Sequence, residues 1–214
     1  MQIKKGEVKE KIIEVAKQCF RDKGFEKASL REIAKKAGVT KGNIYTYFTS
    51  KDQLFCEVVR PAMNIIRSSM KESRAQDYVM IFNGNQSERD AAEASREAFN
   101  RFIYSLLDYK EELKLLFLRA AGSSLENFRE DAFELYSASA VSFTKSLSEM
   151  LPGKEIKMSE MLIHSLASMY LRVIEEILIH EPKKQELNDY IEQMSTLVHH
   201  GFANVIKLQL QKEE

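Results

Sequence analysis

The stretch Ser29–Lys51, SLREIAKKAGVTKGNIYTYFTSK, constrains the local fold more tightly than any other part of the chain. Ser29 and Glu32 stand three apart, the spacing of a capping box, in which hydroxyl and carboxylate each satisfy an orphan backbone N–H at a helix start. Leu30, Ile33, Ala34 and Ala37 follow on one face and leave Arg31, Lys35 and Lys36 outside. Gly38 ends this helix after about two turns, because glycine enters the left-handed backbone region without a Cβ penalty. Val39 plugs the turn. Thr40 is then placed as the N-cap of a third short helix, Lys41–Phe48. Two short helices joined by a glycine turn of this length form a helix-turn-helix. Ile44 and Phe48 of the third helix can face inward, whereas Lys41, Asn43, Tyr45, Thr46 and Tyr47 make its other faces polar and aromatic.

The rest of the chain reads as helix almost throughout. It has three prolines and eight glycines in 214 residues, and alternating β-branched runs are scarce, so the expected class is all-α with about nine helices. The first helix, Glu7–Lys23, carries Val8, Ile12, Val15, Ala16, Cys19 and Phe20 as a stripe and stops at Gly24; Phe25 can fold back beneath it. Ser50 caps the fourth helix, which starts at Lys51 and takes Leu54, Phe55, Val58 and Val59 inward. Pro61 lies inside it, so a kink is expected there. Periodicity fades over residues 74–86, where Asn83-Gly84-Asn85 signals a turn. Further helices are expected over Ser87–Tyr109, Glu111–Ala121, Leu125–Met150, Ser159–His180 and Lys184–Gln211, with breaks at Gly122, Pro152-Gly153 and Pro182. The organisation is a three-helix head, residues 1–50, and a larger helical body, residues 51–214, joined through the fourth helix.

Net charge is zero, but its distribution is lopsided. Residues 1–51 hold 13 Lys and Arg against 6 Asp and Glu, and residues 52–214 hold 19 against 26. A basic head on an acidic body suits an anionic partner for the head. The N-terminus lacks the apolar core of a signal peptide and no apolar run approaches a membrane span, so a cytoplasmic protein with two free, buried thiols, Cys19 and Cys56, is expected. His164, His180, His199 and His200 lack the i, i+4 spacing of helical zinc motifs, and solvated or helix-end histidines fit better than a metal site. There is no phosphate-binding glycine loop and no nucleophile elbow. Neither cofactor nor metal nor catalysis is expected.

The last two helices are apolar on two sides. In the final helix Leu187, Ile191, Met194, Val198, Gly201, Val205 and Leu208 step in a coiled-coil rhythm, with Tyr190, Leu197, Phe202 and Ile206 beside them. The preceding helix pairs Leu162, Leu166, Met169, Val173 and Ile177 with Ala167, Leu171, Ile174 and Leu178. One edge can face the chain's own body and the other a second copy, making a four-helix interface that includes Leu162, Leu166, Val173, Ile177, Ile191, Met194, Val198, Gly201, Phe202 and Val205. The alternative buries both edges within one subunit. Aromatic and methionine side chains at inward positions (Met63, Phe99, Phe102, Tyr136, Phe143 and Met169) are candidates for an effector cavity between helices. Arg119, within LLFLRAAG, is a candidate buried charge that needs a carboxylate or an anionic ligand.

Read together, IIEVAKQCFRDKGFEKASLREIAKKAGVTKGNIYTYFTSKDQLF resembles the tetracycline-repressor (TetR) family of bacterial transcription regulators. The resemblance rests on Gly24-Phe25, Leu30, Ile33-Ala34, Ala37-Gly38-Val39, Gly42-x-x-Tyr45-x-x-Phe48, Lys51 and Leu54, and covers about a fifth of the chain. It implies a homodimer whose third helix enters the major groove of a palindromic operator. It also implies a small-molecule effector bound in the body and dimerisation through the last two helices. Carried over position by position, Thr40, Tyr47 and Lys51 are phosphate contacts and Lys41, Gly42, Asn43 and Tyr45 face the groove, with Ser29 in the same DNA-binding set. Physical chemistry agrees: an N-cap hydroxyl beside free N–H groups suits a phosphate, lysines release counterions, and Lys41 and Asn43 can donate to guanine and adenine edges. A ligand-responsive repressor is the leading expectation. An activator or ligand-independent regulator of the same fold is the runner-up, ahead of an all-α enzyme or a scaffold.

Overall fold

The computed structural model describes residues 5–71, 88–150 and 156–211, and within them the chain forms nine α-helices and no strand. These are α1 (Lys5–Lys27), α2 (Leu30–Ala37), α3 (Lys41–Tyr45), α4 (Lys51–Lys71), α5 (Glu88–Leu107), α6 (Lys110–Leu118), α7 (Phe128–Met150), α8 (Glu160–His180) and α9 (Lys184–Gln211). The expected turn at Asn83-Gly84-Asn85, the Ser87 start and the Pro152-Gly153 break lie outside the described residues.

Packing divides the chain into two compact units, residues 1–66 with 109–130, and residues 67–108 with 131–214. The unit that holds the helix-turn-helix therefore extends past residue 50 and takes in α6 and the loop after it.

In this first unit, Ile12, Ala16, Cys19 and Phe20 of α1 are buried, as their spacing requires. Gly24 breaks α1 at φ 74°, ψ 168°, a conformation that strains any residue with a Cβ, and one further turn runs on to Lys27. That turn brings Phe25 back under the helix. Its ring lies 5.9 Å from Phe20 and 5.2 Å from Phe55, and Phe20 and Phe55 meet edge-to-face at 5.1 Å.

α6 flanks α1. Lys17 Nζ donates to Glu112 Oε1 at 2.6 Å, and Leu113 and Leu116 are buried. The loop after α6 is tied back twice. Phe25 N donates to the Arg119 carbonyl at 2.9 Å, and the Ser124 N–H and hydroxyl both donate to the Asp52 carboxylate at 2.7 Å. α6 ends at Leu118, earlier than its apolar run suggests, which turns Arg119 out of the helical register. Its side chain is exposed, so the expected buried charge is absent at this position. α4 remains helical through Pro61, whose ring faces outward. Cys19 is buried, and burial pushes its thiol up, whereas Cys56 is only half-buried; both are free.

In the second unit, α5 and α9 pack along one another in opposite directions. The Tyr104 hydroxyl donates to Asn188 Oδ1 at 2.8 Å near one end, and Ser95 Oγ lies 2.7 Å from His199 Nδ1 further along. α8 is capped by Ser159, whose hydroxyl accepts from Leu162 N at 3.2 Å, and closes at Glu181 in the left-handed region just before Pro182. Both apolar edges of α8 are covered within the chain along its second half. Val173 and Ile177 are buried together with Leu171, Ile174 and Leu178, and Ile191 and Val198 of α9 are buried too. These four residues of the expected dimer set (Val173, Ile177, Ile191 and Val198) are core side chains. Leu162, Leu166, Met194, Phe202 and Val205 are half-buried, and Gly201 is exposed.

Candidate nucleic-acid interface

The two short helices meet as their capping chemistry dictates. Ser29 Oγ accepts from Glu32 N at 3.2 Å, but the reciprocal arm of the expected capping box is not made. Instead, Glu32 gives its carboxylate to Lys23 at 2.5 Å and to Lys36 at 3.3 Å, bonding α2 to the end of α1. The hydrogen bond from Lys23, then that from Lys36, holds the Glu32 carboxyl below the usual range. Gly38 closes α2 at φ 71°, ψ 30°, with its N–H shared between the Ala34 and Lys35 carbonyls, and Val39 N bonds Ala34 O at 3.0 Å.

Thr40 Oγ1 then accepts from Asn43 N at 3.1 Å, starting α3. As acceptors, the Ser29 and Thr40 hydroxyls each retain a proton for an outside oxygen. α3 is shorter than expected, ending at Tyr45, and residues 46 and 47 continue as a turn in which the Thr46 hydroxyl donates to Asn43 O at 2.7 Å. A five-residue helix leaves little to hold it except its inward face. Ile44 and Phe48 are buried and anchor it to the first unit's core.

The outward face is the expected reading surface. Lys41, Gly42, Asn43 and Tyr45 are exposed, with Ser29 and Thr40 at the two helix starts. Lys41 Nζ lies 5.8 Å from the centre of the Tyr45 ring, so the cation rests beside an aromatic face. A Cβ on Gly42 would meet nothing closer than Thr40 Oγ1 at 3.8 Å, so the bare backbone there answers to no need within the fold. Tyr47 is half-buried against Phe48.

Lys51 is placed differently. Its ammonium donates to the carbonyls of Phe25 at 2.8 Å, Glu26 at 3.2 Å and Ala28 at 3.2 Å, and stands 4.2 Å from the centre of the Phe25 ring. An ammonium has three donors, and here three carbonyls take them. Lys51 thus satisfies the orphan carbonyls at the end of α1 and locks the start of α4 to it. In this structure it is a clamp within the fold rather than an outward phosphate contact. Sequence reasoning misses this role because the partners are backbone atoms about 25 residues away.

The effector candidates do not form one group. Met63 and Arg119 belong to the first unit, and Phe99, Phe102, Tyr136, Phe143 and Met169 to the second. Within the second, Phe99 and Tyr136 both contact Tyr170, with ring centres 5.2 Å and 5.9 Å apart, while Phe143 packs on Phe202 at 5.8 Å. Tyr170, His199 and Ser95 are additions that the sequence does not single out for this role. His199 is buried, unlike the exposed His164 and His180, and so departs from the solvated or helix-end setting expected of the histidines. Among the described residues no cluster of three metal-ligating side chains occurs, and no helix is long and apolar enough to cross a membrane.

Residues 12–58 match the family model of bacterial regulatory proteins, tetR family. Over this stretch the chain is similar to the tetR family. The match to the transcriptional regulator AcrR of Shigella flexneri is 46% identical over 52 residues, 24% of each protein, and the first curated relatives are matched over only about a quarter of their length. IcaR of Staphylococcus aureus, a negative transcriptional regulator of a biofilm operon, aligns over 77% of this chain and 80% of its own at 21% identity. Among solved structures, NalD of Pseudomonas aeruginosa superimposes with a TM-score of 0.58 at 19% identity, covering 88% of this chain and 95% of that one. A TetR-like regulator from Rhodococcus gives 0.56 at 20%, covering 92% and 97%. At such identities the tetR structures share the fold alone; the sequence likeness is concentrated in the helix-turn-helix.

Proposed function

We propose that the protein is a ligand-responsive transcriptional regulator that binds duplex DNA as a homodimer on a palindromic operator, acting as a repressor. The observation that carries this reading is α3: a helix too short to serve the core, anchored by Ile44 and Phe48, presenting Lys41, Gly42, Asn43 and Tyr45 outward beside two capped helix starts. Backbone and hydroxyl donors at the cap suit phosphate oxygens, and the α3 side chains suit base edges. The name of IcaR as a negative regulator, and that of NalD as a repressor of a multidrug efflux pump, favour repression over activation.

A second copy supplies the other half-site. Its seat is the face of α8 and α9 that stays apolar and open. Met161 is 81% and Ile179 50% exposed on one helix, about five turns apart, and Leu197 is 65% and Leu208 58% exposed on the other, about three turns apart. Exposed small residues lie between them (Ser168 on α8, Gly201 on α9), allowing close approach of a partner helix. Leu197 and Leu208 belong to the apolar edges expected of α9, whereas Met161 and Ile179 lie outside both edges expected of α8, and the face avoids the buried Val173, Ile177, Ile191 and Val198. Effector binding in the body would favour a conformer whose two heads no longer match the half-site spacing.

Selection of bound sequences from random duplexes, followed by titration across salt concentrations, tests the reading. The expected result is a palindromic consensus with strongly salt-dependent affinity, and Lys41→Ala should lower the salt slope by about one unit if it contacts a phosphate, or relax base preference if it reads a base. Absence of salt-dependent duplex binding would overturn it. A promoter reporter with and without the protein separates repression from activation.

A further inference from the structure

The basic residues of the first unit divide into two sets. Lys9 pairs with Glu57 at 2.9 Å, Lys17 with Glu112 at 2.6 Å and Arg21 with Asp22 at 3.5 Å and Glu111 at 3.7 Å, while Lys23 and Lys36 share the Glu32 carboxylate. Lys51 gives its ammonium to the carbonyls of Phe25, Glu26 and Ala28. These cations are neutralised or enclosed within the fold, and an anion from outside must displace a carboxylate or a carbonyl to reach them. Lys11, Lys27, Arg31, Lys35 and Lys41 are exposed and make no ion pair among the described residues.

Within this second set, Lys11 is placed by tertiary packing rather than by the helix-turn-helix itself. It comes from the early part of α1, yet its ammonium lies 3.7 Å from the point that a Cβ on Gly38 would occupy. Gly38 is the left-handed residue that turns the chain from α2 toward Thr40, the N-cap of α3. Two residues extend at most about 7 Å, so the ammonium stands at the foot of the helix that carries Lys41 and Asn43. The carbonyl end of α2 attracts a cation. Its carbonyls are in use, however: Ala34 O accepts from Gly38 and Val39, and Lys35 O from Gly38. Lys11 accordingly donates no hydrogen bond to the protein among the described residues. The ammonium is held near the turn with its donors open, the converse of Lys51.

We propose that Lys11 is a DNA contact, reaching from α1 to a backbone phosphate beside the turn between α2 and α3. An ammonium with open donors is a point-charge partner for a phosphate oxygen and needs no planar alignment. The contact carries no sequence information, because phosphates are alike at every base step, and it fixes how the head sits on the duplex. It releases counterion from the DNA, whereas Lys51, committed to carbonyls, does not. This inference rests on the DNA-binding reading and extends the interface beyond the helix-turn-helix to a residue of α1.

The experiment is a salt titration with a fluorescein-labelled duplex of mixed sequence, about 30 base pairs long, read by anisotropy from about 50 to 200 mM potassium chloride. A phosphate contact acts on any sequence, so no operator is needed. Lys11→Gln is expected to lower the slope of log affinity against log salt by about 0.9 per head, and Lys11→Arg to restore it. Lys9→Gln removes the same charge from the same helix, but from an ammonium already paired with Glu57, and should leave the slope unchanged. Sequences selected from random duplexes should share one consensus between the parent and Lys11→Gln. An equal loss of slope in Lys9→Gln, or a consensus altered by Lys11→Gln, would overturn the proposal. An unchanged slope in Lys11→Gln, on a parent that binds steeply, sinks this contact and leaves the DNA-binding reading standing. A parent without any salt dependence sinks the reading itself.

Discussion

The two compact units use their polar groups in opposite ways. In the first, polar groups serve the backbone: Ser29, Thr40 and Ser50 accept from N–H groups three residues on, Gly38 shares its N–H between two carbonyls, and Lys51 distributes an ammonium over three carbonyls about 25 residues away. The second holds all three of the buried polar atoms that lack a partner among the described residues, Asn100 Oδ1, the Tyr136 hydroxyl and Ser137 Oγ.

That contrast can be broken or sharpened by substitution. The largest effect is expected at the aromatic centre of the first unit. Phe20→Ala removes a fully buried ring that touches both Phe25 and Phe55, and should cost about 3–5 kcal/mol in chemical denaturation. Lys51→Ala should cost about 2 kcal/mol, because three carbonyls lose a charged donor, while leaving the salt slope of DNA binding unchanged. A slope reduced by a full unit would instead return Lys51 to the phosphate contacts and weaken the contrast. In the second unit the sign reverses. Tyr136→Phe removes an orphan hydroxyl and should raise stability by about 1 kcal/mol in the ligand-free protein, read as an increase in the urea midpoint. If that variant is less stable, the hydroxyl has a partner and the two units are alike.

The smallest effect concerns acid. Glu32 is held below the usual carboxylate range by Lys23 first and Lys36 second. Its folded value is depressed, so its contribution is present above the unfolded carboxylate pKa and lost as pH falls through the folded one. Glu32→Gln should therefore flatten the acid limb of the stability profile slightly and leave neutral pH behaviour almost unchanged, measured by thermal melts from about pH 6 downward.

How much of this is legible in the chain follows from the range of the interactions. The head can be read because its decisive contacts span three to five residues. Ser29 to Glu32, Thr40 to Asn43 and Val39 to Ala34 are all local, and Ile44 with Phe48 is a simple helical spacing. The second unit depends on pairs such as Ser95 with His199 and Tyr104 with Asn188, separated by 104 and 84 positions, which no periodicity records. Periodicity does show that α8 and α9 are apolar on two sides. It cannot say which side the chain covers for itself, so Val173, Ile177, Ile191 and Val198 look like interface in the sequence and are core in the fold. Arg119 misleads for a related reason: hydropathy carries the helix past Leu118, and the helix in fact ends one residue before the guanidinium, which then points outward. Lys51 reads as surface chemistry because a backbone cage leaves no trace in side-chain spacing.

The inclusion of residues 109–130 in the first unit bears on modular exchange. A chimaera that grafts residues 1–66 onto an unrelated body leaves behind α6, and with it Glu112 for Lys17, the Arg119 carbonyl for Phe25 and Ser124 for Asp52. Such a cassette would keep every residue proposed to face DNA and lose one wall of the unit that holds them. Interchangeable readers built on this scaffold therefore need two cuts and two grafts, the second taken from the middle of the chain.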